Sequence, residues 1–361
     1  MQEEILSLAK KLIAIQSTKD NPKELERVLE TVLSYLNEFP KTLYRKDKLP
    51  PSAIVYNFKP KSGRFRLVLN AHLDVVPANK NLFEPKIKNG KLFGRGAYDM
   101  KAAAAAEVLL FKNIAPKVRY PLALQLVTDE ETGGQNGTAL HVKKGLKTDF
   151  VVSGDTTNFC INNQAKGILW LKVKTQGVSA HGAHPWEGEN AIWKMINFLN
   201  KLKKEFPVPK YEVWKTTVNL ARIETPNQSF NKVPDECVAF LDIRYISQDK
   251  KSIRKRIRKI GGKNVGIEIE MFEPEHYTSP KSPLLEKFSS SFVKITQKKP
   301  SLLCSHGASD LRYFNKIGSQ GICFSPKGHG LHSDNEWVNI SSLVSFYKIL
   351  EDFLLGLGDN S

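Results

Sequence analysis

The stretch from Ile168 to Phe272 constrains the fold of this chain more than any other feature. Apolar alternation predicts strands over 168–175, 211–223, 237–245 and 265–272. Helical spacing of apolar residues predicts helices over 190–205 and 249–260. The order is β-α-β-β-α-β, a split βαβ arrangement that closes into one small sheet covered by two helices.

The flanks read differently. Strands are expected over 53–58, 65–71, 122–128, 149–153 and 321–324. Helices are expected over 3–16, 22–38, 99–113, 283–297 and 340–355. Strands that alternate with helices imply an α/β domain with a largely buried sheet. Ala102 to Ala106 in the third helix favour helix and allow close packing. The Pro- and Ser-containing run 278–283 closes the middle block. The chain is therefore expected to form one α/β domain from 1–167 and 281–361. An inserted ferredoxin-like α+β domain, 168–280, interrupts it.

Composition narrows the function classes. The 361 residues are 41% hydrophobic, enough for a substantial core. No apolar run is long enough to span a membrane. Residues 1–17 carry Glu3, Glu4, Lys10 and Lys11, so they read as an amphipathic helix without a signal-peptide core. The four cysteines form no C-x-x-C pair, which points to a reducing, cytoplasmic setting. The net charge is +17. Its densest run, 250–259, holds Ile253 and Ile257 at helical spacing, so the basic residues lie on a solvated helix face. No aromatic stacking pattern accompanies it, so neither nucleic acid nor membrane is expected as a partner. A non-enzymatic basic binding protein is the rival class, and it requires binding that falls steeply with salt.

Five segments could carry chemistry. His72 and Asp74 end an apolar strand and share a face of it. Such a His is a metal ligand or simply a satisfied polar residue. Asp99, in Gly94-Arg95-Gly96-Ala97-Tyr98-Asp99-Met100-Lys101, is either a ligand or the N-cap of the Ala-rich helix. Asp129, Glu130 and Glu131 follow another apolar strand, and three adjacent acids repel unless a cation is near. One carboxylate of such a group can bind metal while its neighbour takes a proton from water. Asp155 sits at a fourth strand end, and His329 and His332 share a glycine-flanked loop. In an α/β sheet such ends gather along one edge. Two histidines and three carboxylates, with no thiolate, suit a pair of divalent cations. Zinc is the first expectation, with cobalt or manganese possible in its place.

Taken together these motifs make the chain resemble the two-zinc aminoacylase and carboxypeptidase family. That family includes succinyl-diaminopimelate desuccinylases, acetylornithine deacetylases and glutamate carboxypeptidases. The resemblance implies a zinc-peptidase-like catalytic domain, with a mixed sheet flanked by helices, and an inserted lid that mediates homodimerisation. It implies that His72 and Asp155 bind one metal, Glu131 and His332 the other, and that Asp99 bridges both. Asp74 is then the carboxylate that orients His72, and Glu130 the general base. A cis peptide after Asp99 also goes with the family.

In the lid, Gly177-Val178-Ser179-Ala180-His181-Gly182-Ala183-His184-Pro185 resembles the motif whose His reaches the partner subunit's site, which selects His181 over His184. Asn231 and Arg244 lie in segments that resemble those holding the substrate's carboxylate. Asp310 lies in the substrate-side loop Gly307-Ala308-Ser309-Asp310-Leu311-Arg312. Departures are Ala71, Lys232 and Asn335, none of them at an implied ligand position. The implied activity is hydrolysis of an amide beside a free carboxylate, in an N-acyl amino acid or a short peptide. A carboxypeptidase or dipeptidase is the alternative within the family, and the short lid points away from the larger-lid dipeptidases.

Overall fold

A computed structural model describes residues 1–47 and 49–358. These fall into two compact units. Residues 1–164, 277–304 and those from 309 onward form the first, and 165–276 with 305–308 the second.

In the first unit, Leu122–Val127, Phe65–His72, Thr148–Ser153 and Gln320–Phe324 lie side by side in that order and run parallel. Ser52–Tyr56 and Lys41–Tyr44 extend the sheet antiparallel on one flank. Ile161–Ala165 pairs antiparallel with Gln320–Phe324 on the other. The parallel strands are covered on both faces, which explains runs such as Leu67-Val68-Leu69 that are apolar without alternation. Lys101–Ile114 is the crossover between Phe65–His72 and Leu122–Val127. Ala102 to Ala106 are all buried, and their bare methyl groups let Gln2–Ile13 and Ile340–Gly356 approach closely. Gln2–Ile13 turns Ile5, Leu8, Ala9 and Leu12 inward at helical spacing. Because the four central strands are parallel, their C-terminal ends share one edge, and His72, Asp129 to Glu131, Asp155 and the loop to His332 all follow those ends.

The second unit is a sheet ordered Thr217–Glu224, Glu236–Tyr245, Gly167–Gln176, Val265–Glu273, antiparallel throughout. Ala191–Glu205 and Ile253–Gly261 bury Met195, Phe198, Leu202, Ile253 and Ile257 against its inner residues Leu169, Leu171, Val173, Leu241 and Ile243. Asn190 caps the first helix, its side chain accepting from the amides of Ile192 (2.8 Å) and Trp193 (3.2 Å).

Several boundaries differ from the sequence expectation. The strand expected over 211–223 is Thr217–Glu224, because the Thr216 hydroxyl bonds Asp249 and accepts from Ile246 N, which holds the preceding segment out of the sheet. The basic helix begins at Ile253 rather than 249, after a short 3-10 turn over Ser247–Asp249. The second helix stops at Ser34. The sequence reading also left out a small antiparallel sheet ordered Gly328–His329, Trp337–Asn339, Lys91–Phe93, Lys86–Lys88. Among the described residues no helix is long and apolar enough to cross a membrane.

Candidate metal centre

His72 is the last residue of its strand and 2% exposed. Its Nε2 lies 2.9 Å from Asp99 Oδ1. The other Asp99 oxygen lies 3.2 Å from His332 Nε2, which is also 3.2 Å from Glu131 Oε2. Two sets of potential ligand atoms, His72 with Asp99 and Asp155, and Asp99 with Glu131 and His332, each lie within 4.8 Å of one another. Asp99 belongs to both sets. All five ligand candidates read from the sequence are therefore gathered, although they come from five separate segments.

Asp99 is not the cap of the following helix. Lys101–Ile114 starts after Met100, which makes no side-chain cap, and the Asp99–Met100 peptide is cis. What holds Asp99 is Glu336, a residue 1% exposed. Glu336 Oε1 accepts the amides of Gly96 (3.0 Å), Tyr98 (2.9 Å) and Asp99 (3.0 Å). Its other oxygen accepts from Arg95 Nη1 at 2.6 Å. Gly96 has φ +86°, and a Cβ there would lie 2.8 Å from Lys101 Cδ, so the turn requires glycine. The buried Lys101 ammonium donates to Ile15 O at 2.7 Å, and burial pushes its pKa down to about 7.

The acid loop is pinned at both ends. Asp74 Oδ1 accepts the amide of Glu130 (3.2 Å) and Oδ2 that of Glu131 (3.0 Å). Farther along, Gly133 O accepts from Arg312 Nη2 at 2.8 Å and from the Tyr313 hydroxyl. Asp129 turns away from the ligand atoms and accepts the amide of Asn136 at 2.6 Å.

Burial dominates the electrostatics. It pushes Glu131 up to about 7, with Asp99 adding repulsion, and Asp155 up to about 6 for the same two reasons. It also raises Glu130 well above the carboxylate range, against the pull of His72. At Asp99 burial acts in the same sense, but hydrogen bonds from His332 and His72 outweigh it and hold the carboxyl far below its usual range. His72 is raised well above 6.5 because its contacts with Asp74 and Asp99 overcome burial. Among the described residues no lysine or arginine forms an ion pair with Glu130, Glu131 or Asp155. Four carboxylates facing two imidazoles leave an excess of negative charge, and this nitrogen and oxygen donor set fits divalent cations.

The other expected residues divide between the units. Asp310 is in the first, 3% exposed, and accepts from the Thr138 hydroxyl. Its Oδ1 lies where a Cβ on Gly134 would sit, so it packs against the acid loop. His181, Asn231 and Arg244 are in the second unit. There Gly182 N donates to Asn231 O at 2.7 Å, which places the His181 and Asn231 segments side by side. The Arg244 fork is held by Asp242, Nε to Oδ1 at 2.9 Å and Nη2 to Oδ2 at 3.2 Å. His184 is exposed and lies beside Trp186.

Sequence reasoning gave no individual role to Glu336, Arg312, Tyr313 or Glu107. Glu107 is buried, and neither of its carboxyl oxygens has a partner among the described residues. Burial raises it well above the usual carboxylate range, and it packs against Gly154. A lone acid on the buried face of an alanine-rich helix was the available signal.

Residues 68–356 match the sequence profile of peptidase family M20/M25/M40. A succinyl-diaminopimelate desuccinylase of Pelagibacter ubique is 29% identical over 377 residues, covering 97% of each chain. The solved structure of the aminopeptidase PepT from Bacillus cereus superposes with a TM-score of 0.81 at 18% identity, over 98% of each chain. That of the YXEP protein of Bacillus subtilis, described as a dinuclear metal-binding peptidase, gives 0.73 at 10% identity, over 100% of this chain and 99% of the other. The chain belongs to peptidase family M20/M25/M40 and is a metal-dependent hydrolase.

Proposed function

We propose that the protein removes an acyl group from an N-acyl amino acid that keeps a free carboxylate. The observation that carries this reading is the pair of ligand sets sharing Asp99, with Glu130 directly beside Glu131. The resemblance to desuccinylases over nearly the whole chain supports the substrate class. His72, Asp99 and Asp155 would hold one divalent cation, and Asp99, Glu131 and His332 the second. Zinc suits the donors best, with cobalt or manganese able to replace it. Such cations, when bound, polarise the scissile carbonyl and make water a better nucleophile near neutral pH.

The chain's own residues supply the rest. Glu130 takes the proton from the attacking water and hands it to the leaving amine. A carboxyl lifted above its ordinary range is matched to both steps. Asn231 and Arg244 bind the substrate's carboxylate, Arg244 by leaving Asp242 for a second bidentate pairing. Asp310 braces the acid loop on the substrate side. The inserted domain, residues 168–280, acts as lid and dimer contact, and His181 of one subunit stabilises the oxyanion in the other. The four cysteines are all free, which supports a cytoplasmic location.

A panel of N-acetyl, N-succinyl and N-formyl amino acids beside dipeptides tests the substrate class. Faster cleavage of the dipeptides would move the reading to a peptidase. Mixing a His181→Ala subunit with a Glu130→Ala subunit tests the shared site. Activity returns in the mixed dimer if His181 acts across the interface, and no recovery refutes it.

A further inference from the structure

We infer that Asp242 is a specificity-determining residue, a carboxylate that competes with the substrate's own for Arg244. The inference rests on reading Arg244 as a group that binds the substrate's carboxylate. Asp242 and Arg244 stand two apart on Glu236–Tyr245 and share a face, while Ile243 between them is buried in the core under the two helices. Both therefore lie on the other face of the sheet. Trp170 is the partner of Asp242 in register on Gly167–Gln176 and lies there too. Three donors converge on the one carboxylate. Arg244 Nε (2.9 Å) and Trp170 Nε1 (3.0 Å) both donate to Asp242 Oδ1, and Arg244 Nη2 donates to Oδ2 at 3.2 Å. A bidentate guanidinium with a further N–H is a complete carboxylate site, and a side chain of the protein itself fills it.

This occupant is replaceable. The side chains of Asp242 and Arg244 are 29% and 30% exposed, and Trp170 and Asp242 line a hollow of about 780 Å³ on the same face. An ion pair so open to water is weakly held. Trp170 eases the exchange, because its N–H stays on Asp242 when the guanidinium turns away. The guanidinium carries a single charge, so an incoming carboxylate gains only the difference between its own pairing and the one it displaces. A substrate, held through its amide as well, outcompetes Asp242. A carboxylate with no second point of attachment does not. Asp242 thereby lowers affinity for the substrate and excludes plain carboxylates, the released amino acid among them.

The test uses Asp242→Asn and Trp170→Phe in the full, metal-loaded chain. The probes are the fastest-cleaved acid of the N-acyl amino acid panel and the same compound with its α-carboxylate made a carboxamide. Asparagine keeps the shape and one acceptor and removes the charge. In Asp242→Asn the KM of the acid is expected to fall about two- to fivefold, the worth of a partly exposed ion pair, with kcat within about twofold. The inhibition constant of the free amino acid falls in the same proportion. The carboxamide, with no charge to place on Arg244, is unaffected. Trp170→Phe leaves Asp242 without a donor once Arg244 turns away, so the KM of the acid rises, and that rise disappears on the Asp242→Asn background. A KM for the acid that rises in Asp242→Asn would make the carboxylate a support for Arg244, and one that does not move would make the pair a surface contact. Either overturns the inference. Should the unmodified protein cleave acid and carboxamide equally well, the reading of Arg244 fails and takes the inference with it, and that comparison needs no variant.

Discussion

Glu130 and Glu131 are neighbours in the chain with separate tasks, and the difference comes from where each carboxyl points. Glu131 reaches His332 at 3.2 Å, whereas Glu130 makes no ion pair among the described residues and faces the same pocket. Glu130→Gln is therefore expected to lower kcat by roughly 10²–10⁴-fold, the contribution of a positioned acid–base group. Bound metal, read by elemental analysis, should stay at its original stoichiometry. Parallel loss of metal would instead make Glu130 a ligand. Glu336 is the opposite case, touching no ligand atom yet holding the loop of Asp99 through three amides. Glu336→Ala leaves Arg95, itself 2% exposed, without its partner, and should cost about 3–5 kcal/mol in chemical denaturation. The ligand candidates were legible because each stands at the end of an apolar strand or beside glycines. Glu336 was not, because its partners are main-chain amides and an arginine 241 residues away, and such a pairing leaves no local pattern.

Strands and helices long enough to show a period were legible, and shorter ones were not. Gln320–Phe324 was expected because Ile322, Cys323 and Phe324 form an apolar run, all buried. The rings of Phe288, Phe292, Phe159 and Phe346 surround Phe324 with centroids 5.2, 5.9, 5.3 and 5.6 Å away. Phe324→Ala opens a cavity in that cluster and should cost about 3–5 kcal/mol, measured from denaturant midpoints. A cost below about 1 kcal/mol would mean that the rings close over the gap. The small sheet of Lys86–Lys88, Lys91–Phe93, Gly328–His329 and Trp337–Asn339 escaped the sequence reading for a physical reason. Strands of two or three residues hold at most one full alternation. This sheet is fixed by tertiary pairing between segments far apart in the chain, which includes Gly94 N donating to Glu336 O at 3.2 Å.

At the scale of the molecule, the charge of +17 is spread over faces that neutralise part of it locally. In the basic helix Arg256 pairs with Glu205 and Asp249 and Arg254 lies over the Phe272 ring, and just before the helix Lys250 pairs with Glu275. The concentrated imbalance lies instead in the acidic pocket, and it ties stability to pH. Burial raises Glu131 to about 7 and Asp155 to about 6, from ordinary values near 4. Each holds a proton more tightly folded than unfolded. Their contribution to stability without metal is complete below about pH 4 and is lost as pH rises through 6 to 7. His72 and His332, both raised, act in the same direction, their contribution being lost above their raised values. His141 and Lys101, lowered to about 3 and about 7, oppose this, but they act with or without bound metal. Divalent cations favour the ionised carboxylates and neutral imidazoles, so they remove the penalty. The difference in Tm between zinc-loaded and chelated protein should therefore be small at pH 5 and widen steadily to pH 8. Differential scanning fluorimetry at pH 5, 6.5 and 8, with the same protein in each arm, measures it. A difference that stays constant or narrows would mean that the pocket carboxylates are not buried against one another as described.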